Sequence, residues 1–236
     1  MEKLEKALTE LKIPYNEDSL KCFAQYMDKI LEWNEHVNLT AIRDKDEFIL
    51  KHYIDSIMIC GYESWQCANR IIDVGTGAGF PGIPLAILYP NKQFVLMDSL
   101  GKRIKILKQI TEELGILNVE LIHARAEDLA HQKEYRETFD LCVSRAVANL
   151  AVLAEYCIPF VKIGGYFAPY KTLGALEEIE QSKKAIKVLG GAFEEKTFVK
   201  IRDMNLEHQI LWIKKQTKTA AKYPRKSGTP AKEPLK

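Results

Sequence analysis

The stretch Ile71-Ile72-Asp73-Val74-Gly75-Thr76-Gly77-Ala78-Gly79-Phe80-Pro81-Gly82 constrains this chain more than any other. Its apolar, β-branched lead-in predicts a short buried strand. Gly75 and Gly77 offer backbone angles closed to other residues, and their missing Cβ atoms let a ligand lie against the main chain. Pro81 suits the first turn of a helix whose apolar body runs from Ile83 to Leu88. Strand, glycine turn and helix in that order open a nucleotide-binding α/β unit.

The spacing narrows the ligand. A dinucleotide site wants G-x-G-x-x-G after the strand, with a helix N-terminus aimed at a pyrophosphate. Here the order is G-x-G-x-G, and Phe80 takes the place of the third dinucleotide glycine. Asp73 precedes the first glycine by two residues, a poor neighbour for a pyrophosphate but a good one for a ligand carrying an ammonium group. S-adenosylmethionine has that group and no phosphate. Gln93 to Asp98 reads as a second strand ending in an acid. Asp98 lies about twenty residues past the glycines, where such folds set a carboxylate on ribose hydroxyls; its other reading is a cap for the next helix. Asp73, Gly75, Gly77, Gly79 and Asp98 are therefore the expected cofactor residues.

The charge distribution points to a partner. The net charge of +2 hides a tail, residues 214–236, with eight Lys or Arg against Glu233, leaving 26 basic and 31 acidic residues before it. Such a tail is an electrostatic handle for a polyanion, with solvated disorder as the alternative. Cys22, Cys60, Cys67, Cys142 and Cys157 are scattered and odd in number, as expected of reduced thiols in a cytoplasmic protein. The five histidines show no metal-ligand spacing, so no metal site is expected. No apolar run has the length of a membrane span, and Met1-Glu2-Lys3-Leu4 starts no signal peptide. A monomer is expected.

Along the chain, residues 1–62 read as a helical extension: one helix stopped by Pro14, a second capped by Asp18 or Ser19, and a third from about Asp46 to Cys60 lying between layers. Between the last two, Asn38 and Thr40 either line a site or satisfy a turn. Residues 63–214 alternate strand and helix, ending in an antiparallel pair at Thr197–Ile201 and His208–Ile213. That pattern predicts an α/β, doubly wound, mostly parallel seven-stranded sheet, with residues 215–236 as a flexible basic tail. Asp73, Asp98, Glu127, Arg145 and Lys171 would gather at the carboxyl edge of the strands, where such sheets bind ligands.

The glycine stretch through Leu85 closely resembles the signature of the bacterial glucose-inhibited division protein B family, the 16S ribosomal RNA guanine-N7 methyltransferases. Asn38-Leu39-Thr40-Ala41-Ile42, His52-Tyr53-Ile54-Asp55-Ser56, Arg125-Ala126-Glu127, Ser144-Arg145-Ala146-Val147-Ala148 and the tail from Lys222 to Pro230 are similar to that family too. Ala78 stands where relatives commonly carry proline. The resemblance implies a Rossmann-like class I S-adenosylmethionine-dependent methyltransferase acting on a guanine N7 in 16S ribosomal RNA or the small ribosomal subunit. It places cofactor contacts on Gly75, Phe80, Ala126, Glu127 and Arg145.

Guanine N7 has a free lone pair, so the expected mechanism is direct in-line displacement with no general base and no nucleophilic cysteine. Arg145 would position the guanine or a flanking phosphate, its alternative being a salt bridge to Asp73 or Glu127. Lys171, Lys222, Arg225 and Lys226 are the expected RNA contacts. Competing readings are a same-fold methyltransferase for a small molecule or protein, a non-catalytic RNA-binding protein, and an NAD-dependent enzyme, the last disfavoured by Phe80.

Overall fold

The computed structural model describes residues 1–235 apart from 146, 175, 198–200, 203, 205 and 207. Its elements run α1 (Glu2–Glu10), α2 (Glu17–Asn34), α3 (Lys45–Phe48), α4 (Asp55–Ile57), α5 (Glu63–Cys67), β1 (Arg70–Val74), α6 (Gly82–Leu88), β2 (Gln93–Asp98), α7 (Gly101–Glu113), β3 (Val119–His123), α8 (Ala126–Leu129), β4 (Phe139–Arg145), α9 (Leu150–Cys157), β5 (Val161–Thr172), α10 (Leu176–Val188), β6 (Gly191–Thr197), β7 (His208–Lys215) and α11 (Thr229–Lys232). A π-helical stretch, Ile49–Ile54, joins α3 to α4, and a 3₁₀ turn, Met58–Gly61, follows.

Seven strands form one sheet in the order β3-β2-β1-β4-β5-β7-β6. The first five pair in parallel, while β7 is antiparallel to both β5 and β6. The order reverses between β1 and β4, which sets the ligand crevice at their carboxyl ends. Alternate strand residues serve opposite faces. Ile71, Phe94, Leu96, Leu141 and Val143 join a core with α1, α2, α6 and α7, whereas Ile72, Val95, Met97 and Cys142 join a second core with α9 and α10. The N-terminal helices are thus one layer of the sandwich, and the boundary expected at residue 62 lies inside a continuous core.

Several local expectations shift. The cap of α2 is Asn16, whose side chain accepts from the Ser19 amide while Ser19 Oγ accepts from the Asn16 amide, a reciprocal box that leaves Asp18 free for the helix dipole. The helix that opens at Leu150 ends at Cys157, and β5 runs from Val161 through Gly164 and Gly165 to Thr172. The penultimate strand is Gly191–Thr197, preceding the Thr197–Ile201 run expected to form it; residues 198–200 of that run lie outside the described residues.

The largest difference concerns the basic tail, which packs on the body. Arg225 Nε and Nη2 donate to the carboxylate of Glu155 on α9, and Nη2 also reaches the Glu233 carbonyl at 2.7 Å. Arg136 donates to the carbonyls of Thr219, Ala220 and Tyr223. Tyr223 is buried in the second core. A bidentate guanidinium–carboxylate pair with shared carbonyls orders a charged segment that composition alone reads as solvated. Because Glu155 is fully buried, removing either partner leaves an uncompensated charge. Glu155→Ala is expected to destabilise the fold by about 3 kcal/mol, read as a lowered urea midpoint at unchanged slope.

Candidate active site

The glycine loop begins where β1 ends, and its shape is fixed from below. Asp73 is fully buried; its Oδ2 accepts from Thr76 Oγ1 at 2.7 Å and from the Gly82 amide at 2.9 Å. Burial pushes its carboxyl up to about 6, against the pull of Thr76, Gly82 and the Arg145 charge. Oδ1 is buried and without a hydrogen-bond partner among the described residues. Asp73 is fully buried and lines neither cavity beside the loop, so it acts on a ligand only through its field, which favours a cation over an anion.

Gly75 carries the conformational demand. Its φ is +75°, and a Cβ there would meet Val147 Cγ2 at 2.6 Å, so only glycine fits. Gly79 is hemmed in from the other layer: a Cβ on it would strike the Tyr26 hydroxyl, which donates to the Ala78 carbonyl at 2.7 Å. The loop amides are largely engaged. Gly75 and Thr76 donate to the Met97 carbonyl, Gly79 and Phe80 to the Thr76 carbonyl, and Gly77 to Asp98 Oδ2 at 2.9 Å. A pyrophosphate would need those donors, which removes the dinucleotide reading on grounds independent of Phe80.

Asp98 ties down both the head of the next helix and the glycine loop. Its Oδ1 accepts from the Leu100 amide at 2.8 Å at the head of α7, and its other oxygen ties β2 to the loop. It lines a narrow cleft of about 130 Å³ with Met97, Ala126, Glu127, Val147 and Tyr156. Glu127 Oε1 accepts from the Gly228 amide at 2.9 Å, so the tail braces this cleft. On the other side of Gly75 lies a larger cavity of about 360 Å³, lined by Thr40, His52, Asp55, Gly77, Phe80, Arg145 and His208 among others. Gly75 lines both.

Arg145, at the end of β4, is held by groups that sequence reasoning did not single out. Its guanidinium donates to Asp55 Oδ2 at 2.5 Å, to the Lys51 carbonyl at 2.9 Å and to His52 Nδ1 at 3.3 Å. Its partner is thus Asp55, contributed by the N-terminal layer, in place of the expected Asp73 or Glu127. The guanidinium also sits over the Phe80 ring, on which His52 stacks with centroids 4.3 Å apart. Since Arg145 can only donate, His52 Nδ1 accepts and Nε2 carries the proton toward Thr40 Oγ1 at 2.7 Å. Burial, then the Arg145 charge, depresses His52 to about 3.

Asp55 also accepts from His208 Nδ1 at 2.8 Å through Oδ1. Burial raises its carboxyl, but His208 and Arg145 more than offset this and hold it below the ordinary carboxylate value. Thr40 lines the cavity and also satisfies the Ile42 amide. Asn34 takes the turn role foreseen for Asn38, accepting from the Leu39 and Thr40 amides. Lys171 sits at the sheet edge but is paired, to Glu178 at 2.6 Å and the Ala148 carbonyl at 2.8 Å. Arg225 is bound to Glu155, which leaves Lys222 and Lys226 as the exposed cations of the expected RNA set. Ala146 lies outside the described residues. Among those described, no group of three or more His, Cys, Asp or Glu could hold a metal, and no helix is long and apolar enough to cross a membrane.

Residues 19–207 match the sequence profile of the family described as rRNA small subunit methyltransferase G. The ribosomal RNA small subunit methyltransferase G of Clostridium novyi (strain NT) is 49% identical over 97% of this chain and 94% of its own length. The chain belongs to this methyltransferase G family. Its namesake from Clostridium tetani (strain Massachusetts / E88) is 46% identical over 99% of this chain and 98% of the relative. Among solved structures, a mitomycin 7-O-methyltransferase superposes with a TM-score of 0.55 at 10% identity, over 68% of this chain and 53% of that one, a likeness of fold alone. As a methyltransferase G family member the chain is an S-adenosylmethionine-dependent enzyme, and the crevice fits that cofactor: it has a glycine floor, an orphaned carboxylate oxygen beneath it and loop amides unsuited to a pyrophosphate.

Two outcomes follow from this geometry. Gly75→Val should fold yet lose S-adenosylmethionine affinity more than about tenfold in calorimetry, because the new side chain strains the turn and fills the crevice. For His52, the folded protein refuses a proton that the unfolded chain accepts below its ordinary value of about 6.5. The stabilisation is complete above that pH and is lost progressively as pH falls toward 3. In denaturant titrations between pH 6.5 and 4, His52→Gln should therefore lose stability less steeply than wild type, by up to about 1.4 kcal/mol per pH unit.

Proposed function

We propose that this chain transfers a methyl group from S-adenosylmethionine to N7 of a guanine in 16S ribosomal RNA, by direct displacement with no general base. The observation that carries the mechanism is the state of the groups around the cavity. Asp55 has both oxygens engaged, His52 is neutral with both ring nitrogens engaged, and no cysteine lines the cavity. Such a site orients the base; it holds no thiol for a covalent adduct, and the His208 ring held on Asp55 can accept a hydrogen bond without taking a proton away. Guanine N7 asks for neither, since its lone pair is free in the neutral base.

S-adenosylmethionine, when bound, supplies an electrophilic methyl on a positively charged sulfur. On this reading Asp98, Ala126 and Glu127 hold its nucleoside end in the narrow cleft, and Gly75 lets it cross to the larger cavity. Gly77, Gly79 and Asp73 shape that passage, and Phe80 and Arg145 form its far wall. The purine enters the larger cavity, whose volume is on the scale of small-ligand sites. Alignment of N7 with the methyl is the source of rate. In A-form RNA N7 faces a deep, narrow groove closed to side chains, so the guanine comes from a loop or is flipped out of its stack.

Exposed Lys222 and Lys226 would then meet phosphates beside the target, while Arg225 serves the fold. The decisive assay incubates the protein with S-adenosylmethionine and unmethylated 16S ribosomal RNA and maps N7-methylguanine by chemical cleavage at modified positions. Modification of another base or atom, or no modification, would overturn the proposal. In the same assay the double substitution Lys222→Ala, Lys226→Ala should preserve cofactor affinity. Its slope of log RNA affinity against log salt should be shallower by about 0.7 for each phosphate that is no longer neutralised. Deleting the whole tail is the wrong experiment, since it also removes the braces on Glu127 and Glu155.

A further inference from the structure

We infer that His208 reads the Watson–Crick edge of the target guanine, accepting the N1–H at its Nε2 while Asp55 holds the ring from behind. The inference rests on the reading that guanine N7 is the methylated atom. His208 opens β7, two strands from β4 in the sheet, and lines the same cavity as Gly75 and Arg145. Its side chain is 22% exposed, and Nδ1 lies 2.8 Å from Asp55 Oδ1. Asp55 is held ionised by two donors and can only accept, so Nδ1 carries the proton. With its single proton on Nδ1 the ring presents Nε2 as an acceptor, and among the described residues that nitrogen has no partner. His52 cannot serve in this way, because Arg145 and Thr40 take its two nitrogens.

The chemistry gives this acceptor a use that changes along the reaction. Guanine N7 gives its lone pair to the methyl carbon, the carbon–sulfur bond breaks with its electron pair left on sulfur, and no proton leaves the base. The purine becomes cationic as the new bond forms, and its N1–H becomes more acidic. A hydrogen bond to Nε2 therefore strengthens toward the transition state and raises the rate more than the affinity. The same atom selects the base. Adenine has a lone pair at N1 where guanine has a proton, so with adenine two acceptors face each other and the buried site is left unpaired.

The test pairs variants with a base analogue. Full-length wild type, His208→Ala and His208→Gln are compared in single turnover on RNA transcripts carrying guanosine or 2-aminopurine at the position that wild type methylates. 2-Aminopurine keeps N7 but lacks the N1 proton. S-adenosylmethionine affinity should stay within about twofold of wild type in both variants, since His208 faces the base. With guanosine, His208→Ala should lose about tenfold or more in rate, the scale of one hydrogen bond, with a smaller change in KM. His208→Gln, whose amide oxygen still accepts, should recover part of that loss. The guanosine-to-2-aminopurine rate ratio should be about tenfold smaller in His208→Ala than in wild type. An equal ratio in the two proteins would overturn the assignment of His208 while leaving N7 methylation intact. Failure of wild type to form N7-methylguanine at all would overturn both readings.

Discussion

The carboxylate of Asp55 is the point at which the helical layer and the sheet become one site. It is buried, so it requires compensation, and it obtains it from Arg145 at the end of β4 and His208 at the start of β7. Those strands belong to the parallel and antiparallel parts of the sheet, with β5 between them. A single charge thus fixes two donors that face the cavity, and through Arg145 it fixes the His52–Phe80 stack as well. Much of the cavity wall depends on this one ionised group keeping both partners.

What the sequence revealed and what it hid divide along a physical line. The glycine stretch was legible because its meaning is local: Asp73, Thr76 and Gly82 interact across less than ten residues. The alternation of strands and helices was legible for the same reason, as each period is set by neighbours. The triad of Asp55, Arg145 and His208 was not, because Arg145 and His208 lie 90 and 153 residues from Asp55 and meet it only once the strand order is known. His52 and Asp55 were visible as part of a familiar motif, but nothing in the residue types said that Arg145 would choose them over Asp73 or Glu127.

The tail shows how composition misleads. Eight cations in a short segment suggest a partner made of phosphate, yet Arg225 pairs with a carboxylate of its own chain and Lys215 donates to the Ile158 carbonyl and lies 3.2 Å from Glu137. Charge summed over a segment counts such internal pairs as if they faced solvent. The strands were similarly blurred at their ends, where Val161 already pairs with Phe139 although two glycines follow it in Gly164-Gly165.

The π-helical stretch Ile49–Ile54 sets the angular phase of everything after it. A π turn holds one residue more than an α turn, and in a helix each residue advances the side-chain direction by about 100°. His52 within the stretch and Asp55 just past it both line the cavity, while Tyr53 turns inward to donate to the Phe23 carbonyl at 2.7 Å. Losing one residue here would keep a helix of nearly the same length but swing Asp55 away from Arg145. This segment is thus a ratchet whose tooth count matters: each of its residues is buried or lines the cavity, so an insertion or deletion re-aims all of them at once.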